Sequence, residues 1–181
     1  MQDPSLQSAA TSFDPSSEYD EPELVRRAQL GSAAAFEKLV LVRGPQLHRF
    51  LGTRLRDDAD ALDALQETLT AAWQGLPTLS ATAKFWPWIC GIAAHKAADV
   101  ARRRTASDVR SVDVHVREQD DDLLDIRDAL SGLPEHFREV LLLRYVVGLS
   151  ETEVAAALGI RVGTVKSRSA RARRALAEAW R

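Results

Sequence analysis

Cysteine is nearly absent from this sequence, since Cys90 is the single one among 181 residues. That excludes an internal disulfide and any zinc site built from several cysteines. Long apolar runs are also missing, because none approaches the roughly 20 residues that cross a bilayer. Residues 1–20 lack the basic and then apolar order of a secretory signal. These absences predict no membrane insertion and a cytoplasmic location.

The usual constellations of catalytic residues are missing as well. We find no glycine-rich phosphate loop, no nucleophile beside a base and no paired catalytic carboxylates. The four histidines show no metal-ligand spacing; they are His48, His95, His115 and His136. The sequence therefore predicts a protein that is not an enzyme and that uses no metal and no cofactor.

Net charge is small, at −2 from 24 basic and 26 acidic residues, but it is unevenly divided along the chain. Residues 1–21 are acidic and rich in proline and serine, which predicts a disordered leader. Residues 105–122 are acidic again, which predicts a flexible linker. The basic side chains concentrate in the last 22 residues, where Glu178 alone opposes them. Such a run is typical either of a solvated helix face or of a surface that binds a polyanion.

Helical periodicity dominates the sequence, with no convincing alternation of the kind that predicts strands. We therefore expect an all-α protein of two small helical domains, residues 22–104 and 123–181, joined by the acidic linker 105–122. The first domain is predicted to hold helices over 22–30, 33–55 (continuous or restarting after Gly44-Pro45), 58–73 and 87–103. The second is predicted to hold helices over 123–130, 134–147, 151–158 and 162–180.

The predicted core of the first domain follows its large apolar side chains. On the third helix these are Leu62, Leu65, Leu69 and Trp73. On the fourth helix the inward set is Phe85, Ile89, Ile92 and Val100, while Ala94, His95, Ala98 and Arg102 are expected to point away. Trp86 and Trp88 fit either the core or a stacking surface for unpaired bases.

The C-terminal third contains the strongest local pattern. Ser150 and Glu153 have the spacing of a capping box at the start of a short helix, and Gly159 permits a tight turn after it. A longer basic helix follows. A short capped helix, a glycine turn and a basic helix together form a helix-turn-helix, in which the second helix enters the DNA major groove.

A helical wheel divides the last helix into an inward stripe and an outward basic face. The inward stripe is Val165, Ser169, Ala172 and Leu176. The outward and flanking residues, expected to meet base edges and phosphates, are Thr164, Lys166, Ser167, Arg168, Ala170, Arg171, Arg173 and Arg174. A solvated amphipathic helix would explain these arginines, but it would not explain the capped helix and turn that precede them.

Several motifs resemble the extracytoplasmic-function sigma factors, the smallest bacterial initiation sigmas. In the C-terminal domain these are Leu133-Pro134, residues 138–145, Gly148-Leu149-Ser150 and residues 162–168. In the N-terminal domain, residues 63–68 with Ala72-Trp73 resemble the polymerase-binding helix of that family. Phe85, Trp88, Ile92-Ala93, Asp99 and Arg102-Arg103 resemble its promoter-melting segment.

The resemblance implies a sigma subunit that binds core RNA polymerase through the beta-prime clamp helices and the beta flap, binds promoter DNA, and is held by an anti-sigma factor. It places core-polymerase contacts at Asp63, Gln66 and Glu67. It places the minus-ten element at Lys84, Trp88, His95, Ala98, Arg102 and Arg103, with a base captured by the loop 79–84, and the minus-thirty-five element on the last helix. The acidic linker is then either a spacer or a mimic of nucleic-acid charge in the polymerase cleft.

Two other functions remain compatible with the sequence. One is a helix-turn-helix transcriptional regulator that acts without replacing sigma. The other is an adaptor whose basic helix binds an acidic protein. Reconstituted transcription separates the three hypotheses, because only a sigma subunit lets core polymerase start at a promoter without a resident sigma factor.

Overall fold

Four helices form the N-terminal bundle in the computed structural model, which describes residues 19–55, 57–81, 84–106 and 128–179. They are α1 (Glu21–Gln29), α2 (Ala33–Arg54), α3 (Asp58–Gly75) and α4 (Phe85–Ala106), with a 3-10 turn at Leu76–Thr78 after α3. The predicted break at Gly31, with φ of +92°, is confirmed, as is the cap at Ser32, whose hydroxyl accepts from the Ala35 amide. Helix α2 runs without interruption through Pro45.

The inward face of α3 differs from the prediction. Its buried side chains are the small residues Ala61, Ala64, Thr68 and Ala72. The prediction of a large apolar core stripe is wrong at Leu62, which is 45% exposed, and at Trp73, which is 37% exposed, while Leu65 and Leu69 are half-buried. Both stripes have helical spacing. The small one faces inward because α3 packs against both α2 and α4, and small side chains let helix backbones approach each other closely.

Helix α4 is buried on more sides than a simple amphipathic pattern predicts. Phe85 and Ile89 are buried as expected, but Ile92 and Val100 are only partly buried. The expectation that Ala94 points away from the core is wrong, since only 2% of its surface is exposed. The reason is that α4 packs not only on α2 and α3 but also on a helix of the second domain, described below.

Trp86 belongs to the core, with 7% of its surface exposed, so the stacking role considered for it is not supported. The Arg43 guanidinium lies 4.7 Å from the centre of the Trp86 ring, a cation–π contact. Arg43 also donates to the Glu21 carboxylate at 2.9 Å, and Tyr19 donates to the same oxygen at 2.8 Å. Burial, reinforced by the Glu21 carboxylate, raises the pKa of Tyr19 to about 12. This cluster fastens the N-terminal end of α1 to α2 and α4.

The second bundle contains α5 (Glu135–Leu141), a π-helical turn (Leu142–Val146), α6 (Glu151–Leu158) and α7 (Val162–Ala179). Residues 128–131 are also helical. The single helix predicted over 134–147 is therefore wrong in its second half. There the Val147 amide donates to the Leu142 carbonyl, five residues back, and the Arg144 guanidinium donates to the Leu149 carbonyl at 2.8 Å. These bonds turn the chain toward α6.

The two bundles pack on each other, α4 along α6 and α2 against the π-helical turn. Both bundles contribute to one continuous cluster of buried apolar side chains. The predictions for the leader 1–21 and for the linker 105–122 fall almost wholly outside the described residues, as does most of the helix predicted over 123–130.

No helix within the described ranges combines the length and the apolar character that a membrane span requires.

Candidate nucleic-acid interface

The helix-turn-helix begins with the capping box that the sequence predicts. The Ser150 hydroxyl accepts from the Glu153 amide at 3.2 Å, and the Glu153 carboxylate accepts from the Ser150 amide at 2.7 Å. Hydrogen bonding of the Glu153 carboxylate to the Ser150 side chain, and then to the Ser150 amide, lowers the pKa of Glu153 despite its partial burial. Helix α6 ends at Gly159, whose φ of +63° is left-handed and therefore suits glycine. The turn thus ends α6 and leads into α7.

Ser150→Ala is expected to destabilise the protein by about 1 kcal/mol, since it removes the acceptor of the Glu153 amide. Because the folded-state pKa of Glu153 is lowered, its stabilising contribution is present at neutral pH and is lost as pH falls through that pKa. The difference between wild type and variant should therefore shrink in acid. Urea unfolding at neutral and acidic pH measures both effects. The control is Thr152→Ala, an exposed position of the same helix turn; equal losses for the two variants would contradict the capping role.

Helix α7 has the two faces that the wheel predicts. Val165, Ser169 and Ala172 are buried and Leu176 is half-buried. Its exposed side chains form one basic surface around Ala170, with Thr164 and Arg168 half-buried at its edges: Lys166, Ser167, Arg171, Arg173 and Arg174. The Ser167 hydroxyl donates to the Thr164 carbonyl at 3.0 Å. The Lys166 ammonium lies 3.9 Å from the Glu151 carboxylate, a long and exposed pair that leaves the cation accessible to phosphate.

The residues predicted for the minus-ten element share α4 and the turn before it, although they differ in exposure. Lys84, His95, Arg102 and Arg103 are exposed, whereas Ala98 and Trp88 are half-buried. The Trp88 ring packs against Gly75, where a Cβ would lie 3.1 Å from it. Residues 82 and 83 of the predicted base-capturing loop lie outside the described residues.

His95 has a defined ring orientation. Its Nδ1 lies 2.7 Å from the Gly91 carbonyl oxygen. A carbonyl oxygen only accepts, so Nδ1 carries the hydrogen, and in the neutral ring Nε2 is an acceptor. At this position the side chain can accept a hydrogen bond from a base or donate a second one when protonated.

The predicted polymerase-binding residues lie on the outer side of α3. Asp63 and Gln66 are exposed, whereas Glu67 is paired with α4, its carboxylate 3.0 Å from the Lys96 ammonium and 3.9 Å from the Arg103 guanidinium. Together these residues, with Thr70 and Gln74, line a shallow depression of about 470 Å³. Glu67 therefore helps to hold α3 against α4 as well as contributing charge to this surface.

Two exposed apolar side chains on α3 were missed as surface residues by the sequence reasoning. Leu62 and Trp73 lie outward, and the Trp73 ring centre is 5.1 Å from that of Phe36. An alanine stands one position before each of them, and residues 61, 64, 68 and 72 form a stripe of small side chains with helical spacing. That stripe is the sequence signal that could have indicated which side of α3 faces inward.

Comparison with known proteins decides the family. The sequence matches the family model for sigma-70 region 2 over residues 39–107 and that for sigma-70 region 4 over residues 123–176. It is 35% identical to the RNA polymerase sigma-H factor of Pseudomonas aeruginosa, covering 87% of this chain and 92% of that protein. The chain belongs to the extracytoplasmic-function sigma factors. It is thus a transcription initiation factor that directs RNA polymerase to promoters.

Other relatives of this sigma factor agree. The ECF RNA polymerase sigma factor SigC of Mycobacterium tuberculosis is 34% identical, covering 84% of this chain and 87% of that protein. Among solved structures, CnrH in complex with the cytosolic domain of CnrY matches at a TM-score of 0.74 and 29% identity, covering 88% of this chain and 96% of that one. RpoE in complex with the anti-sigma factor NepR from Bartonella quintana matches at a TM-score of 0.65 and 29% identity, covering 79% of this chain and 94% of that one.

Proposed function

We propose that this sigma factor divides promoter recognition between its domains. Residues 22–104 bind core polymerase and the minus-ten element, residues 123–181 bind the minus-thirty-five element, and residues 105–122 link them. The observation that carries the proposal is the division of α7, whose buried stripe faces its own domain while Ser167, Arg171 and Arg174 are exposed opposite it and Lys166 and Arg173 are exposed on its flanks. A helix in the major groove needs that division.

The roles within α7 follow from position and chemistry. Ser167, Ala170 and Arg171 occupy the middle of the exposed face, where side chains reach base edges. Lys166, Arg168 and Arg173 flank it, where cations meet the phosphates on either side. Thr164 and Arg174 extend the exposed face toward the two ends of the helix. Arginine in the middle of the face suits guanine, since its guanidinium can donate hydrogen bonds to the O6 and N7 acceptors of that base at the same time.

Single-stranded minus-ten DNA suits the exposed side chains along α4 and at the turn before it. Lys84, Arg102 and Arg103 supply positive charge for the backbone, while His95 and Ala98 lie between them along the same helix. Cationic grooves combined with stacking hold unpaired strands. Trp88 offers only part of its ring, because the remainder packs on Gly75.

Core polymerase is proposed to bind the outer side of α3. Asp63 and Gln66 supply polar and acidic contacts there, and exposed Leu62 and Trp73 add an apolar component. An interface of aromatic and aliphatic anchors with surrounding polar contacts is the usual composition of a stable protein complex. The basic clamp helices of the beta-prime subunit are the proposed partner surface for α3, and the beta flap is a further proposed polymerase contact of the chain.

An anti-sigma factor is the proposed negative regulator. The support is that CnrH and RpoE, both similar to this chain over most of its length, were solved as complexes with CnrY and the anti-sigma factor NepR respectively. Such a partner would compete with core polymerase or promoter DNA for the surfaces described above.

Run-off transcription tests the proposed function. Core polymerase alone, core plus this chain, and core plus a resident sigma with or without this chain are compared on a promoter found by mapping transcript starts after induced expression. We expect starts at that promoter from core plus this chain. A requirement for the resident sigma would favour a helix-turn-helix regulator instead.

A further inference from the structure

The turn between α3 and α4 is tied to α1 by one glutamine side chain. Gln29 is the last residue of α1 and is half-buried. Its Nε2 amide donates to the Leu76 carbonyl at 3.1 Å and to the Leu79 carbonyl at 2.7 Å. A glutamine amide carries two N–H donors, and here they serve backbone carbonyls that lie 47 and 50 positions further along the chain. Neither bond contributes to the structure of α1 itself.

Leu79 is held at both its amide and its carbonyl. The Leu79 amide donates to the Leu76 carbonyl at 3.1 Å and closes the 3-10 turn, while the Leu79 carbonyl accepts from Gln29. The backbone there is extended, with φ of −70° and ψ of 108°. The ψ angle sets the direction in which the chain leaves Leu79, because it orients the planar peptide group that follows. Gln29 therefore fixes the direction taken by Ser80 and Ala81.

The same segment is supported by α4 at its other end. The Lys84 amide, one residue before α4 begins, donates to the Ala81 carbonyl at 2.9 Å. The Trp88 ring of α4 packs against Gly75 at the start of the turn, where a Cβ would lie 3.1 Å from the ring. Between these supports Ser80 is exposed to solvent. The backbone on either side of Ser80 thus keeps its position relative to the bundle.

Residues 79–81 and Lys84 belong to the loop that is expected to capture a base of the minus-ten strand. An extruded base is recognised by hydrogen bonds to its edge in a closely fitting pocket. Such a pocket discriminates between bases only while its polar groups keep their positions, because a misplaced donor or acceptor no longer meets the base edge. Gln29 lies on α1, which holds none of the residues proposed to touch DNA, so it can act on a base only through the Leu79 carbonyl.

We propose that Gln29 is a positioning residue for minus-ten recognition, which holds the Leu79 carbonyl and so orients residues 79–81 toward one unpaired base. The inference rests on the proposed function, in which residues 22–104 bind the minus-ten element. It makes a specific chemical demand on position 29. Leu76 and Leu79 both offer acceptors, so the side chain must present donors. An amide or an ammonium has them, whereas an ionised carboxylate only accepts and is repelled by the two carbonyl oxygens.

Four variants test this demand. Gln29→Glu keeps the size of the side chain and removes both donors, and Gln29→Leu removes them without adding charge. Gln29→Lys is the rescue, because its ammonium restores donors to the two carbonyls. Gln46→Glu is the matched control, since it makes the same change of charge at an exposed position of α2. The Gln46 amide oxygen accepts from the Arg43 guanidinium at 3.3 Å, a bond that a carboxylate keeps.

The measurement is binding of holoenzyme, assembled from core polymerase and each variant, to labelled single-stranded minus-ten oligonucleotides. The strand comes from a promoter mapped by transcript starts, and every position is replaced in turn by the other bases. We expect Gln29→Glu and Gln29→Leu to bind the preferred strand about tenfold more weakly, because the released backbone of one residue must be ordered again when the base enters. Strands with a disfavoured base at the captured position should bind as they do to wild type.

The expected signature is therefore a loss of discrimination of about tenfold at one position and unchanged discrimination at the others. Gln29→Lys and Gln46→Glu should match wild type throughout, and all variants should bind the minus-thirty-five duplex equally. A merely structural role would weaken every strand by the same factor, and that result would overturn the positioning role of Gln29. So would wild-type discrimination in Gln29→Leu, or a Gln29→Lys variant as indiscriminate as Gln29→Glu.

Failure of the proposed function gives a different result in the same experiment. A wild-type holoenzyme that shows no base preference at any position of the unpaired strand would refute minus-ten recognition by this chain, and the role of Gln29 with it. A wild-type holoenzyme that discriminates, alongside Gln29 variants that discriminate equally well, would refute the role of Gln29 alone.

Discussion

Asp63→Lys combined with Gln66→Lys is expected to weaken binding to core polymerase by about 100-fold. Both side chains are exposed on α3, and the proposed partner surface on the clamp helices is basic. Like charges brought together at an interface cost several kcal/mol, and about 1.4 kcal/mol is tenfold in affinity. Fluorescence anisotropy of the labelled chain titrated with core polymerase measures the change.

Two controls make that result specific. Glu37→Lys reverses an exposed charge on α2 and should leave the affinity unchanged. Glu67→Lys is less informative, because it would place a lysine beside Lys96 and Arg103 and disturb the packing of α3 on α4. Wild-type affinity in the double variant would refute the proposed polymerase surface on α3.

Arg171→Ala is expected to cost about 1–3 kcal/mol in binding to the minus-thirty-five duplex, with relaxed specificity at one base pair. Arg171 lies in the middle of the exposed face of α7, where a guanidinium reaches a base edge. The measurement is a titration of the preferred duplex, its single-base variants and random DNA at several salt concentrations.

Arg173→Ala is the comparison for Arg171→Ala, because Arg173 flanks the same face and is assigned to phosphate. It should weaken all sequences alike and reduce the slope of log affinity against log salt by about one. Equal losses on specific and random DNA for Arg171→Ala would contradict its assignment to a base edge.

Local backbone chemistry made much of the fold predictable from the sequence. Ser150, Glu153 and Gly159 specify a helix start and stop by themselves, because a capping box and a left-handed turn involve only neighbouring residues. The inward stripe of α7 was also predictable, since the helix has one apolar face and one strongly basic face. These features define the helix-turn-helix, and the structure confirms them.

Packing between elements was less predictable. On α3 two stripes have helical spacing, and the stripe of small residues faces inward rather than Leu62 and Trp73 because α3 packs against both α2 and α4. On the second domain, the π-helical turn at Leu142–Val146 depends on bonds such as that from Arg144 to Leu149, which hydrophobic periodicity does not reveal.

Contacts between the domains lay beyond the sequence reasoning altogether. The burial of Ala94 and the need for glycine at position 91 both depend on α4 packing against a helix of the second domain. Arg54 and its partners Glu135 and Glu139 are more than 80 positions apart in the chain. No motif or periodicity links residues at that separation, so their pairing appears only in three dimensions.

Permanganate reactivity of unpaired thymines tests the central claim most directly. Core polymerase and this chain are added, separately and together, to a promoter mapped by transcript starts. The account predicts reactive thymines around the minus-ten element only when both proteins are present, and their loss in the Asp63→Lys, Gln66→Lys variant. Thymines that stay unreactive with both proteins bound, or that react without this chain, would contradict it.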